Sequence, residues 1–164
     1  MNKTIQGVVK VLEYIVTILF FFIASTAFVQ VLLRYGFNRS LHWAHDLDIQ
    51  LMIWTVWLCA PIGLYQKAHL RVNFLEGYFS RKTQRILNVL FDCFTFLFLI
   101  LLGIKGVDVI QSVAGMTLLS LPIPTGLMFA AAPVGATLMI FVSIPELVRD
   151  LKDLSNPGEG RRRN

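Results

Sequence analysis

The chain has 164 residues, 55% of them hydrophobic and only 15% charged, and it carries a net charge of +5; an ordinary soluble domain is roughly 25% charged. A soluble fold of this size leaves too much surface in water to hide so much apolar content, and 13 Phe, 4 Tyr and 3 Trp exclude a solvated disordered chain as well. The composition is that of an integral membrane protein.

A hydrocarbon layer roughly 30 Å thick is crossed by about 20 apolar residues in a helix. Tyr14–Leu33 carries no charge between Glu13 and Arg34 and predicts a first span over about 11–34. The competing reading, a cleaved signal peptide, calls for a shorter apolar region of roughly 7–15 residues and a small-residue cleavage site. A stretch ending Leu33-Arg34-Tyr35 fits a retained span better. Residues 38–48, NRSLHWAHDLD, interleave Leu41, Trp43, Ala44 and Leu47 with polar side chains. They predict a short helix lying at the interface, with Trp43 at headgroup depth.

Ile49–Gln66 predicts the second span, about 47–67. The following KAHLRVNFLEGYFSRKTQR mixes Leu70, Val72, Phe74, Leu75, Tyr78 and Phe79 with five basic residues, so it too is expected against the lipid surface. Ile86–Ile104, broken only by Asp92, predicts the third span, about 85–110. Val109–Pro145 is charge-free and too long for one straight crossing. Pro122 and Pro124 lack an N–H and restrict the residue before them, so they divide it. The fourth span is expected over about 124–146, with Pro124 in the first turn. The expected fold class is all-α: an integral membrane protein of four transmembrane helices plus short interfacial helices. Residues 1–150 form one transmembrane domain, and 151–164 a polar, basic, frayed tail.

Four spans put both termini and the second connection on one side. That side collects Lys3, Lys10, Lys67, Arg71, Arg81, Lys82, Arg85, Arg149, Lys152, Arg161, Arg162 and Arg163, against Arg34, Arg39 and Lys105 on the other. The positive-inside rule places both termini in the cytoplasm. The basic excess then reads as orientation and contact with membrane phospholipids, and no nucleic acid is expected as a partner.

Little in the chain suggests chemistry. Cys59 and Cys93 lie in apolar runs without CxxC or Cys/His spacing and read as small buried apolar residues. His42 and His45 stand at i, i+3, followed by Asp46 and Asp48, but without HExxH spacing or further ligands they read as polar residues of the interfacial helix. No metal site, cofactor or catalytic residue is expected. Asp92 is the clear intramembrane charge, and Asn88, Asp92 and Thr95 at i, i+4, i+7 share a helix face. Such a residue is a functional suspect. A proton or cation carrier and a stripe paired with a neighbouring helix or water are the two readings, and the second is preferred. Trp54 and Trp57 lie too deep for an interfacial belt and want acceptors for their indole N–H groups. Ala131 with Gly135, and Ala132 with Ala136, are small-xxx-small pairs that let a helix approach closely.

Several segments resemble one family. LRYGFN at Leu33–Asn38, the acidic Asp46 before the second span, AHLRV at Ala68–Val72, and LPIPTGLMFA at Leu121–Ala130 occur in order on a four-span chain. Together they resemble the DctQ-like or SiaQ-like small membrane subunit of tripartite ATP-independent periplasmic (TRAP) transporters, over residues 10–150. Leu70 is a mild departure from the pattern, as is an additional residue or so in the turn of the last motif.

The resemblance implies a bacterial inner-membrane complex. A large multi-span subunit carries the substrate and sodium sites and moves substrate by an elevator-type displacement. A periplasmic substrate-binding protein delivers an organic acid, of the C4-dicarboxylate or sialic acid type. The small subunit enlarges the static scaffold. Arg34, Tyr35, Asn38, Arg39, His42, Asp46 and Asp48 are then candidate periplasmic-face contacts. Trp54, Trp57, Asn88, Asp92, Thr95, Ala131, Ala132, Gly135 and Ala136 are candidate intramembrane packing or partner contacts. A self-sufficient four-helix exporter, an electron-transfer anchor and a four-span membrane enzyme are the alternatives. The anchor is disfavoured because all three His lie outside the spans, and the enzyme because no polar cluster is in view.

Overall fold

The computed structural model describes residues 3–39, 41–75, 81–118 and 120–155, with side chains described for 3–39, 41, 43–66, 83, 86–118, 120–145, 147 and 148. It is all-helical: α1 is Lys3–Gly36, α2 His42–Leu75, α3 Arg81–Ser112 and α4 Gly126–Ser155. Each contains a stretch long and apolar enough to cross a membrane, namely Lys3–Gly36, Trp43–Gln66, Ile86–Ser112 and Gly126–Pro145. Four membrane-length helices are therefore what the apolar runs encode.

The helices overrun those apolar runs. Once a helix is nucleated each further residue adds a hydrogen bond at little cost, and polar ends remain helical beyond the lipid. The sharpest difference lies at 42–48. The expected separate interfacial helix is instead the opening of α2, continuous through Ile49 because no Pro or Gly stands between Leu41 and the span. At the other end α2 runs on to Leu75, and α4 passes through Pro133 and Pro145 to Ser155. Residues 76–80 and the tail from 156 fall outside the described residues, as do the side chains of 67–75, and with them the expected interfacial placement of the second connection.

The link between α3 and α4 is a small hairpin. Gly115, at φ +97°, makes the left-handed step out of α3 that a side chain would strain. Thr117 and Pro124 then pair as an isolated bridge, with Leu118 N–H donating to Ile123 O at 3.0 Å and Thr125 N–H to Met116 O at 2.9 Å. Leu127 N–H and Met128 N–H reach back to Pro124 O and Thr125 O, both at 3.0 Å, so α4 starts two residues after Pro124.

The helices lie side by side in the order α1, α2, α4, α3. On α1 the inward positions Ile5, Val9, Leu12, Val16, Leu19, Ile23, Thr26, Gln30 and Leu33 alternate by four and three residues, the spacing of a helix packed along a neighbour at a shallow angle. The main apolar cluster joins Ile5, Val9 and Leu12 of α1 to Ile62 of α2 and Val142 of α4, flanked by Leu58, Tyr65 and Leu138. Elsewhere little is buried. The most hydrophobic window of α1 contains no buried residue, and Tyr14, Ile18, Phe21 and Phe28 on α1, with Leu90 and Phe94 on α3, stand bare.

Candidate functional site

The region around the start of α2 is assembled from three pieces of chain. The first is the end of α1. Asn38 sits at φ +53°, Phe37 N–H bonds Leu33 O at 3.2 Å, and Arg39 N–H reaches back six positions to the same carbonyl at 3.0 Å. A left-handed residue thus ends the helix; Gly is usual at such a stop and Asn the common substitute. The sequence reading treated Asn38 as a partner contact, whereas its backbone already has a reason to be Asn. Arg34, Tyr35, Phe37 and Arg39 around it are all exposed, Tyr35 at 81%. The side chain of His42 falls outside the described residues.

Two carboxylates of α2 then tie this stop to the rest of the chain. Asp48, half-buried, accepts from Gln30 Nε2 at 2.6 Å and from the Thr26 hydroxyl. Thr26 Oγ1 also lies 3.0 Å from Phe22 O and 2.9 Å from Ile23 O. It has one proton to give, so the carboxylate and the two main-chain carbonyls are alternative acceptors for it. Asp46 points to the other side and accepts from Ser120 N–H at 3.0 Å, holding the α3–α4 hairpin. Just over half a turn of α2 thus fastens α1 and the hairpin by opposite faces. An apolar groove of about 160 Å³ runs beside Asp48, lined by Ser25, Val29, Leu41, Trp43 and Ala44 along with Thr26 and Gln30.

Below this, α2 meets α4. Gln50 is 5% exposed, and with its amide oxygen facing α4 it accepts from Met128 N–H at 3.2 Å and from Trp54 Nε1 at 3.3 Å. Trp54 Nε1 also donates to Leu127 O at 3.2 Å. The open first turn of α4 and a deep indole are therefore satisfied together. A turn further on, Gly135 faces Trp57: a Cβ there would stand 2.9 Å from Trp57 O, 3.0 Å from Cε3 and 3.1 Å from Cβ. Trp57 O is the carbonyl that Pro61 N, lacking a hydrogen, leaves without a helical donor. The fully buried Pro61 and Gly135 thus belong to one contact, where a freed carbonyl meets a bare Cα. Ala131 and Ala136 are buried on the same helix, while Ala132 is half-buried. The small-residue face is used inside the chain.

On α3, Asp92 and Leu99 are buried, and Gly106, seven residues beyond Leu99, abuts Pro133 of α4, where a Cβ would lie 3.0 Å from the ring. This heptad-spaced stripe is the face that α3 turns to α4. Asn88 is half-buried, and Thr95 Oγ1 donates to Phe91 O at 2.8 Å. Ser143 Oγ, buried on α4, has no partner among the described residues. Cys59 and Cys93 differ from the sequence reading, since both are exposed: each occupies an outward position of its helix, where a small apolar side chain meets lipid as readily as core.

The fold brings Asp46, Asp48, Trp54, Trp57, Gly135 and the small alanines into two connected contact regions. Asn88, Asp92 and Thr95 lie on α3, with Asp92 buried on the face turned to α4. Sequence reasoning missed Thr26, Gln30, Gln50 and Ser120. The first two were visible in principle as a polar pair at i, i+4 within a charge-free span, on the same face as Ile23 and Leu33. A family model described as "DctQ: Tripartite ATP-independent periplasmic transporters, DctQ component" matches residues 23–153, from mid α1 to the end of α4. No curated protein matches the chain.

Proposed function

The chain belongs to the DctQ component family of tripartite ATP-independent periplasmic transporters, and from that membership we propose that it works as a fixed scaffold beside the subunit that moves substrate. The supporting observation is where its polarity goes. Asp48 is taken up by Thr26 and Gln30, Gln50 by Trp54 and Met128, and Asp46 by the hairpin, while the outer faces of α1 and α3 present large apolar side chains. Side chains already engaged with one another hold helices in place; a conduit needs groups free to exchange partners with a passing ion.

A mover needs something rigid to move against. Close approaches of backbone to side chain at Gly135–Trp57 and Gly106–Pro133 make α2, α4 and α3 one slab, because well-packed interiors resist continuous deformation. On this reading a large membrane subunit holds the substrate and sodium sites and a periplasmic binding protein supplies an organic acid. The small chain catalyses no reaction and needs no cofactor. Both its termini face the cytoplasm of a bacterial inner membrane, as the basic residues favour. The exposed Arg34, Tyr35 and Arg39 then stand at the periplasmic rim, where the delivering protein docks.

Affinity purification of the tagged chain from mild-detergent extracts of its native membrane tests the proposal. A stoichiometric partner of about ten or more spans supports it. Recovery of the chain alone or as a self-oligomer, with transport activity after reconstitution by itself, supports a self-sufficient exporter instead.

A further inference from the structure

The register of the helices carries an inference about how the chain sits in lipid. Asp48 bonds both Thr26 and Gln30, so it lies level with residue 28 of the antiparallel α1. Trp57 is nine residues further along α2 and is therefore level with about residue 19 of α1. Trp57 also meets Gly135 of α4, and α2 and α4 run parallel, since Trp54 reaches Leu127 and Trp57 reaches Gly135. Pro133 meets Gly106, and Gly126 lies against Ile110, so α3 is antiparallel to α4 and Gly135 is level with Ile104.

Set against those levels, the apolar runs are staggered. The middles of Ile49–Gln66 and Gly126–Pro145 coincide, at Trp57 and Gly135. The middle of Tyr14–Leu33 lies four to five residues, or about 7 Å, toward the α2 N-terminal side. The middle of Ile86–Ile104 is Thr95, some nine residues or about 13 Å toward the opposite side. The displacement runs in one direction across the row α1, α2, α4, α3. Neighbouring helices stand roughly 9 Å apart, so a stagger of about 20 Å across three steps corresponds to a tilt of roughly 35°, within the range transmembrane helices adopt.

A second observation points the same way. Lys105 and Asp108 form an ion pair at 3.0 Å with side chains 75% and 57% exposed. With upright helices this pair would face hydrocarbon at the height of Trp57 and Gly135, the middle of two spans. We propose that the row is tilted in its own plane, which brings Thr95 to the bilayer centre and lifts Lys105 and Asp108 into the headgroup layer. There Lys105 contacts lipid phosphate and Asp108 contacts water. The occupant of this surface is the phospholipid headgroup region rather than another protein. Helices of 30–34 residues, longer than the roughly 20 needed for an upright crossing, suit such a placement.

Depth measurement by spin labelling in vesicles of phosphatidylethanolamine and phosphatidylglycerol separates the arrangements. One sample labels native Cys93 in a Cys59→Ala chain; the other labels position 105 in a Cys59→Ala, Cys93→Ala, Lys105→Cys chain. Each is measured alone and copurified with its large membrane subunit. Tilt predicts that the label at 93 collides with oxygen and is shielded from an aqueous nickel chelate. The label at 105 should show the reverse, by a tenfold or greater change in their collision ratio, in both samples. Shielding at 105 with exposure at 93 is the upright arrangement and overturns the proposal. So does a label at 105 that is water-accessible in the chain alone and immobilised in the complex, because a protein then covers the pair.

Discussion

The contact between Gly135 and Trp57 offers a direct perturbation, the substitution Gly135→Ala. The added methyl would arrive 2.9 Å from a backbone carbonyl oxygen, 3.0 Å from the indole Cε3 and 3.1 Å from Trp57 Cβ. The indole can swing aside, but the carbonyl moves only with α2, and Pro61 buried behind it fixes the local backbone. Forcing a methyl into such a site costs about 1–3 kcal/mol, which is roughly a 5- to 160-fold loss in the ratio of folded to unfolded chain. Against this, Ala gains about 1 kcal/mol of helix propensity over Gly. Gly103→Ala supplies the control, since nothing lies within 4 Å of a Cβ there and only the propensity gain applies. Thermal or steric-trapping stability in lipid nanodiscs should therefore place Gly135→Ala below Gly103→Ala by about 1–3 kcal/mol. Trp57→Phe should rescue it only in part, because the carbonyl clash remains. Equal stability of the two alanine variants would show that α2 and α4 do not meet this way.

The other predictions are smaller experiments. Asn38→Gly should leave stability unchanged or slightly raised, while Asn38→Val should cost about 1–2 kcal/mol from the left-handed backbone alone; thermal unfolding of both variants reads the difference. Asp48→Leu should strand the amide donor of Gln30, while the Thr26 hydroxyl falls back on Phe22 O and Ile23 O, at a cost of about 1–3 kcal/mol, and triple replacement with Thr26→Val and Gln30→Leu should recover much of it. If the triple variant is no better than the single, Asp48 works through other groups. A periplasm-active reporter fused after Ser155 should stay silent and a cytoplasm-active one should report; the opposite pattern would invert the proposed topology.

What could be read from the sequence follows from what lipid demands. A span must be apolar over nearly its whole length, so Tyr14–Leu33 and Ile86–Ile104 stand out without any knowledge of neighbours. The boundaries were less legible because helical hydrogen bonding does not stop where lipid does, which is why NRSLHWAHDLD opens α2 instead of forming a helix of its own. The hairpin at Met116–Thr125 was hidden because its pairing uses backbone groups of residues with no strand pattern. The row order α1, α2, α4, α3 was not legible either, since small residues announce a close approach without naming the partner. Gly135 is small because of Trp57, which lies 78 positions earlier in the chain and meets it only through the fold. The polar site shows the same split: Asp46 and Asp48 were visible as acids, but that one serves α1 and the other the hairpin depends on which way each leaves the helix.

On the proposed function this chain holds still while its partner transports. Uptake of an organic acid into proteoliposomes under an imposed sodium gradient, with the binding protein supplied outside, tests it directly. The prediction is no uptake with this chain alone, full uptake with both membrane subunits, and undiminished uptake when cross-links lock α2 to α4 through cysteines placed at Trp54 and Leu127. Uptake by this chain alone, or its abolition by a lock that leaves the complex assembled, would contradict the claim.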